Sequence, residues 1–326
     1  MRELYRVGVA ACMAGAAAGA IAQTSNSGAY PSKPIRLIVP FGAGGPTDAT
    51  ARTLAPHLPE ALGQQVVVDN RGGASGIIGI DMVAKAPPDG HNVTMMSSSI
   101  TIFPSIYKTL PYDLYRDLAP VTDILYAPFS LVIHPSVPAR NAAELVKLAK
   151  AKPGELRFPS AGMGGTNHLA GVLFNVMSGV DTSHVPYKGT GPALTDLAAG
   201  QVHFQFSMVL AVTPLVQAGR LRMIGVASRQ RLADLPNMPT VSESGVPGYE
   251  SAVWFGLWTG SGVSRDIVNR LQTEFARALA ITAVRQRLSP GGAQLGGNKP
   301  EEFAAFVLAE VAKWAKVVKA AGISPE

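Results

Sequence analysis

Short apolar runs alternate with segments of helical periodicity along the first half of this chain. Residues 35–40, 65–69 and 92–96 are mostly apolar runs of five or six residues, a length typical of buried strands. Residues 48–62 and 77–86, between these runs, have the spacing of amphipathic helices. This β-α-β-α-β alternation predicts a parallel sheet with right-handed crossovers.

A second series of strands and helices follows, and two helices close the chain. Strands are predicted at residues 125–133, 156–158, 184–187, 202–206 and 221–227. Helices are predicted at residues 142–151, 167–177, 193–199, 266–279 and 301–321, the last ending before Gly322. The aromatic residues of the two closing helices are expected in the core. We expect the first strand of this series to leave the first lobe, and residues 249–259 to return to it.

Two lobes follow from this order of elements. The first lobe is predicted to comprise residues 23–125 plus 250–326, and the second residues 126–249. In parallel α/β sheets, ligands bind beyond the carboxyl ends of the strands, where the glycine- and serine-rich loops of this chain emerge. The sequence therefore predicts a ligand cleft between the lobes.

Each predicted lobe contains a glycine-rich turn that leads from a strand into a helix. Residues 41–47 form this turn in the first lobe, and residues 159–166 form it in the second. Such turns expose backbone N–H groups at the positive end of the helix dipole, which attracts anions. One glycine-rich turn is weak evidence, but two of them indicate two similar lobes that face one small anion.

The N-terminus has the pattern of a secretory signal peptide. Arg2 and Arg6 precede an apolar segment at residues 7–20, and a small-x-small sequence then ends at Ala22. We predict cleavage after Ala22. Cys12, the only cysteine, lies inside this signal, where too few apolar residues precede it for a lipoprotein box. The mature chain would then have no disulfide and no thiolate metal site.

Charge and length limit the function further. Removing the signal takes away two arginines and one glutamate, so the formal net charge falls from +6 to +5 and 304 residues remain. The basic residues are scattered, with no basic run or recognition motif, which does not favour nucleic-acid binding. A mildly positive surface attracts small anions. The length is sufficient for two domains with substantial cores.

Several segments together resemble a known family. With them the chain resembles the periplasmic solute-binding proteins of tripartite tricarboxylate transporters, the Bug family. The similar segments are residues 34–48, 51–52, 84–90, 110–113, 185–189, 192–196, 245–249, 300–303 and 313–314.

The resemblance has consequences for both fold and function. It implies a periplasmic-binding-protein type II-like α/β fold, with a ligand cleft between two α/β lobes. It also implies a periplasmic receptor that captures a small carboxylated organic ion and delivers it to the permease subunits of a membrane transporter. We expect a monomer without a metal or cofactor and without nucleic-acid binding.

The resemblance also assigns the ligand site. It implies that the ligand carboxylate is held mainly by backbone amides of the two glycine-rich turns. The chain departs from the family pattern at residues 71–76, 97–101 and 206–208, which border the far end of the ligand and include Ser97 and Ser207. The candidate contacts are Phe41, Ala43, Gly44, Gly45, Thr47, Ser97, Ser160, Ala161, Gly164, Thr166, Asn167, Tyr187, Lys188 and Ser207.

Some residues near the turns have two interpretations. Asp48 would repel an anionic ligand, and its i,i+4 spacing to Arg52 favours a structural role. His168 is expected to cap or pack rather than to contact the ligand. Lys188 could neutralise a ligand charge or could lie solvated at the rim of the cleft.

An enzyme is the competing hypothesis, in the form of a secreted hydrolase acting on a small carboxylate-bearing substrate. The first glycine-rich turn does not match the dinucleotide-binding fingerprint, because Pro46 and Thr47 interrupt it. Ser105 and Lys108 have S-x-x-K spacing, but the companion motifs of serine acylases are missing. We therefore expect a binding protein with no catalytic residues.

Overall fold

The computed structural model describes residues 30–320 together with residues 322 and 325. The predicted signal peptide and its cleavage site lie outside the described residues. The strands are β1 (Ile35–Val39), β2 (Val66–Asn70), β3 (Asn92–Ser97), β4 (Leu118–Ile133), β5 (Arg157–Ser160), β6 (Ser183–Pro186), β7 (Phe204–Met208), β8 (Arg222–Val226), β9 (Ala252–Gly260) and β10 (Gln294–Leu295). The helices are α1 (Pro46–Leu54), α2 (Pro59–Leu62), α3 (Ile77–Ala84), α4 (Phe103–Ile106), α5 (Ala142–Ala151), α6 (Thr166–Ser178), α7 (Thr190–Ala198), α8 (Val209–Gln217), α9 (Arg265–Ala280), α10 (Thr282–Leu288) and α11 (Pro300–Ala320).

The first three strands form the predicted parallel sheet. β1 lies between β2 and β3 and runs parallel to both, with Ile35 opposite Val66 and Arg36 opposite Asn92. Four of the five residues of β1 are buried and Arg36 is partly exposed, in keeping with a central strand that has helices on both faces. At its carboxyl end, β1 leads into the first glycine-rich turn. Ser97 is the last residue of β3 and lies at the same edge of the sheet.

The long strand β4 joins the two halves of the molecule. Its residues from Leu118 to Pro128 pair with β9, and its residues from Phe129 to Ile133 pair with β7 and β8. The sequence predicted a strand at residues 125–133 that leaves the first lobe. The observed strand begins earlier, at Leu118, and its partners change between Pro128 and Phe129. The exact lobe boundaries, 23–125 plus 250–326 and 126–249, stay a prediction.

The second half contains two sets of strands. β7 and β8 extend the main sheet through antiparallel pairing with β4, whereas β5 and β6 form a separate parallel pair. β9 then returns to the first half, where it pairs with β3 and β4. The chain thus crosses between the halves twice, once in β4 and once immediately before β9.

Prolines and glycines account for the differences between predicted and observed helices. The helix predicted at residues 48–62 is divided by Pro56 and Pro59 into α1, a 3-10 turn and α2. The helix predicted to begin at residue 193 begins at Thr190, directly after Gly189. Helix α8 follows β7 and was not predicted from the sequence.

The closing helix α11 packs on the centre of the main sheet. The Phe303 ring is fully buried against Gly256 of β9, where a Cβ atom would overlap the ring. Trp254 and Trp258 contact the same ring at centroid distances of 5.6 and 5.2 Å. Phe306 is 37% exposed, so the expectation that every aromatic residue of this helix is in the core was wrong.

Neither a membrane span nor a metal cluster is found among the described residues. No helix in residues 30–320 combines the length and the apolar character needed to cross a membrane. In the same part of the chain, no group of three or more His, Cys, Asp or Glu side chains could hold a metal ion.

Candidate functional site: a cavity between helix N-termini

A cavity, called here the central cavity, lies where the glycine-rich turns of the two lobes meet. The volume that the centre of a water molecule can reach in this cavity is about 50 Å³, which is room for roughly three to five water molecules. More than half of the predicted site residues line it. These residues are Phe41, Gly45, Thr47, Ser97, Ala161, Thr166, Asn167 and Ser207.

Helix α1 directs its N-terminus at the central cavity. Gly45 is the N-cap residue and Pro46 is the first helical residue, and neither provides a side-chain cap. Because proline has no N–H and the next two amides lack intrahelical partners, the amides of Thr47 and Asp48 are the free donors of this first turn. Gly45, Pro46 and Thr47 all line the cavity.

Helix α6 brings a second N-terminus to the same cavity. Gly165 is the N-cap, and the first intrahelical bond runs from Leu169 N–H to Gly165 C=O. The amides of Thr166 and Asn167 therefore have no partner within the helix, and both residues line the cavity. The Thr166 hydroxyl lies 2.9 Å from the Ser98 hydroxyl, which joins the two lobes beside the cavity.

A third helix N-terminus, that of α7, was missed from the sequence. Thr190 is the first residue of α7 and lines the cavity, three residues before the predicted start. Gly189, at φ 134°, has a conformation that favours glycine and ends the preceding loop. Pro192 in the first turn was the available signal, because proline is tolerated there.

Three of the predicted anion-binding amides already have partners inside the protein. Gly44 N–H donates to Asp48 Oδ2 at 3.0 Å, and Ala161 N–H donates to Asn167 Oδ1 at 3.2 Å. Gly164 N–H donates to His168 Nδ1 at 3.2 Å. The donors left for a ligand are therefore those of the first helical turns rather than those of the glycines.

Asp48 is a structural residue of the first turn, as the sequence predicted. Its buried carboxylate accepts hydrogen bonds from Gly44 N–H, Arg52 Nε and Asn70 Nδ2 at 2.9–3.0 Å. Burial alone raises the pKa of Asp48, but these hydrogen bonds and the Arg52 charge outweigh burial and hold the pKa below its ordinary value. Asn70 also donates to Phe41 C=O, so the network fixes both ends of the turn.

Replacing Asp48 by asparagine should lower the free energy of unfolding by about 2–3 kcal/mol at pH 7, the usual cost of losing hydrogen bonds to a buried charge. Since the folded pKa lies below the unfolded one, the stabilisation is complete above the ordinary pKa near 4. It is lost as the pH falls through the folded pKa. Urea unfolding of both proteins between pH 3 and pH 7 measures the difference, which should shrink toward pH 3.

The exposed carboxylate Asp266 provides a control for this experiment. It lies in the first turn of α9, so Asp266→Asn should cost less than about 1 kcal/mol. A loss at Asp266 equal to that at Asp48, or a loss at Asp48 that does not change with pH, would contradict the assigned role of the buried network.

Ser160 lies outside the central cavity, and its buried side chain pairs with the partly buried His184. The Ser160 hydroxyl is 2.6 Å from His184 Nε2, and the His168 ring is tilted by 33° against the His184 ring at a centroid distance of 4.0 Å. Burial lowers the pKa of His168 to about 4, and burial together with His168 lowers the pKa of His184 to about 3. Both rings are neutral near pH 7 and support the second glycine-rich turn.

This serine–histidine pair bears on the hydrolase alternative. Ser160 is fully buried and does not line the central cavity, so its hydroxyl has no access to a ligand there. No carboxylate in residues 30–320 hydrogen-bonds to His184, so an acid that would orient the ring is missing from the described residues. The arrangement supports packing rather than nucleophilic catalysis.

The remaining predicted residues lie around the cavity rather than in its wall. Tyr187 and Lys188 line a wider outer groove, where the Tyr187 hydroxyl donates to Asp196 at 2.7 Å. Burial and, second, this hydrogen bond raise the pKa of Tyr187 to about 12. Ala43 and Gly44 are exposed on the outer side of the turn. Gly164 packs against Ile106 of the other lobe.

Backbone segments of the first glycine-rich turn and of the loop before α7 lie very close together. A Cβ atom at Gly191 would lie 3.0 Å from Ala43 O, and one at Gly189 would lie 3.2 Å from Gly42 N. Likewise, a Cβ atom at Gly42 would lie 3.2 Å from Lys188 O. The absence of side chains at these glycines lets the two segments approach each other this closely.

The sheet supplies the part of the cavity wall that the sequence did not predict. Apolar side chains of β4, β7 and β9 line it together with small hydroxyl residues, and none of the lining residues is charged. Strands from distant parts of the chain meet here, so no local pattern could identify these positions. The sheet residues in the wall that were not predicted are Phe129, Val253 and Phe255, whereas Ser99, Phe206 and Met208 lie in segments that the family resemblance places at the far end of the ligand.

With this geometry described, comparison with known proteins identifies the family. The family described as "Tripartite tricarboxylate transporter family receptor" matches residues 50–323. The chain belongs to this family. Protein BugT of Bordetella pertussis is 35% identical over 323 residues, which is 98% of both chains. The chain is therefore a Bug-type solute-binding receptor, and its family is one of periplasmic binding proteins rather than of enzymes.

Solved structures agree with this assignment across most of the chain. R. palustris Rpa4515 with adipate has a TM-score of 0.87 at 39% identity and covers 91% of this receptor and 100% of that chain. MatC from Rhodopseudomonas palustris with bound malate has a TM-score of 0.84 at 30% identity, covering 89% and 100%. The two-lobe α/β fold of periplasmic binding proteins is thus shown for this receptor.

Proposed function

We propose that this receptor captures a small organic carboxylate in the periplasm and delivers it to the permease subunits of a tripartite tricarboxylate-type transporter. One observation carries the proposal: three helix N-termini meet at one cavity, and none of the described residues that line it is charged. Helix N-termini with free amides attract and bind carboxylates. The relatives with adipate and malate support the same ligand class.

The proposed clamp consists of neutral donors. The first-turn amides of Thr47, Thr166, Asn167 and Thr190 would hold the ligand carboxylate. Because these amides are fixed by their helices, they can complement the negative charge without a buried arginine. Of the other predicted contacts, Phe41, Gly45, Ser97, Ala161 and Ser207 would form the cavity wall. Ala43, Gly44, Ser160, Gly164, Tyr187 and Lys188 would support the loops around it.

Ligand binding without turnover is the expected result for a receptor. In a thermal and chemical unfolding screen against carboxylates, a ligand at a hundred times its dissociation constant should stabilise the fold by about 2.7 kcal/mol. The methyl ester of the same ligand should stabilise it far less, because an ester offers no full negative charge to the helix ends.

Recovery of the ligand separates a receptor from the hydrolase alternative. After long incubation with the purified protein, chromatography and mass spectrometry should recover the ligand unchanged. Turnover that one point substitution abolishes would instead make the protein an enzyme. A monomer at working concentration is expected by light scattering.

Secretion is the second part of the proposal. The intact mass of the protein purified from the periplasm should correspond to a chain that starts at Gln23 and contains 304 residues. A diacylglyceryl adduct on Cys12 would contradict both the cleavage site and the unanchored state of the receptor.

A further inference from the structure

The second glycine-rich turn is shaped by hydrogen bonds within its own segment. Gly165 N–H donates to Gly162 C=O at 3.1 Å, and the Asn167 side chain accepts from Ala161 N–H at 3.2 Å. Such bonds fix the conformation of residues 160–168 but not the position of the turn against the first lobe. The free amides of α6 can share one ligand with those of α1 only when that position is also fixed.

A buried hydrogen bond joins this turn to the first lobe. The Thr166 hydroxyl lies 2.9 Å from the Ser98 hydroxyl, and the two residues are 6% and 1% exposed. Ser98 begins the 3-10 turn Ser98–Thr101 that follows β3, whereas Thr166 is the first residue of α6 and lines the central cavity. Another contact between the same turn and the first lobe, from the Tyr107 hydroxyl to Met163 C=O, is exposed and longer, at 3.4 Å.

Ser98 is held in place by two segments of the first lobe. The Thr101 hydroxyl donates to Ser98 C=O at 2.7 Å, and Trp254 N–H of β9 donates to Ser98 Oγ in a long hydrogen bond of 3.5 Å. Because an amide N–H can only donate, Ser98 Oγ is the acceptor in this bond, and its own hydrogen is left for Thr166 Oγ1. Ser98 therefore donates to Thr166 from a fixed position.

Resting on the proposed function above, we propose that Ser98 is a positioning residue for ligand binding, which holds the N-terminus of α6 against the first lobe through Thr166. Ser98 is not among the residues that line the central cavity, so it acts through Thr166 rather than by contact with the ligand. The bond can form only while the lobes are in contact, which is also the arrangement that brings the helix N-termini to one ligand. Ser98 therefore stabilises the ligand-binding arrangement and slows the release of the ligand.

Stopped-flow tryptophan fluorescence on the mature protein tests this role, with adipate and malate as the probes. Ser98→Ala should raise the dissociation rate constant about tenfold and change the association rate constant less than twofold, because the contact forms only when the lobes meet. The dissociation constant should rise by the same factor of about ten, which corresponds to about 1.4 kcal/mol. An unchanged dissociation rate, or a loss of affinity that lies in the association rate, would overturn the inference.

Tyr107→Phe is the matched control, because it removes a different hydroxyl contact between the same turn and the first lobe. It should change both rate constants less than twofold, since the Tyr107 bond to Met163 is long and exposed. An effect as large as that of Ser98→Ala would mean that any contact between the lobes slows release. That result would overturn the specific role of Ser98.

A double-variant cycle separates the Ser98–Thr166 contact from a general loss of structure. Thr166→Val removes the hydroxyl, so it and Ser98→Ala should each raise the dissociation rate constant, and the double variant should raise it little further. If the two effects multiply instead, the inference is overturned and the proposed function stays intact. If no carboxylate binds the unaltered protein, the proposed function fails. The same cycle on the free energy of unfolding then tests the contact, and additive losses would overturn it.

Discussion

Valine in place of Gly164 should lower the free energy of unfolding by about 3 kcal/mol. Gly164 has a φ of 66°, a left-handed conformation that costs a non-glycine residue about 1–2 kcal/mol. Its Cβ atom would also overlap Ile106 Cδ1 of the other lobe, and overpacking adds about 1–3 kcal/mol. Urea unfolding followed by circular dichroism measures the loss.

Gly179 provides a matched control for this substitution. It has a similar φ of 62°, but no atom lies within 4 Å of its Cβ position, so Gly179→Val isolates the backbone cost. The difference between the two variants should be about 1–3 kcal/mol. If the lobes part to relieve the overlap, the two losses will be equal and small-angle scattering will show a larger radius of gyration. That outcome would contradict a destabilised closed fold.

Valine in place of Gly45 should weaken ligand binding at least a hundredfold while the protein stays folded. Gly45 has a negative φ of −83°, and its Cβ position lies 3.7–3.9 Å from Gly42 O, Gly191 N and Thr190 Cβ. The Cβ atom itself fits, but the valine methyl groups extend toward the cavity and the opposing loop. The stability cost should be about 1 kcal/mol, since valine is a poor N-cap residue.

Calorimetry with Lys188→Met as the comparison tests the clamp directly. Lys188 is exposed and lines the outer groove, so its loss should change the dissociation constant less than about threefold, as for an exposed charge pair. If the Lys188 variant failed to bind while the Gly45 variant bound normally, a side-chain charge would hold the anion. The clamp of helix N-termini would then be wrong.

The glycine-rich turns show how far local sequence can be interpreted. Their position between a strand and a helix was predicted, because strand length and helical spacing are local patterns. The role of each glycine was not predicted. Gly44 and Gly164 donate their N–H groups to Asp48 and His168, side chains four residues further on, instead of facing the ligand. Gly164 is also limited by Ile106, a contact between residues 58 positions apart.

The cavity wall shows what local sequence cannot predict. The resemblance to the family places Phe206, in the strand end at residues 206–208, near the far end of the ligand. Phe129 and Phe255 could not be assigned to the site from sequence, because a buried phenylalanine in a core and one in a ligand site have the same local pattern. Their meeting depends on β4, which pairs with β9 along one part and with β7 along another. Neither pairing can be derived from the periodicity of one segment.

The sequence by itself determined the class of fold, the double crossing between two lobes and the resemblance to a family of carboxylate receptors. These follow from periodicity, proline and glycine positions and motifs, all of which act over a few residues. Only the tertiary structure decided which amides of the glycine-rich turns already have partners and that α7 adds a third N-terminus. Hydrogen-bond partners and burial depend on contacts between distant segments, which exist only when the chain has folded.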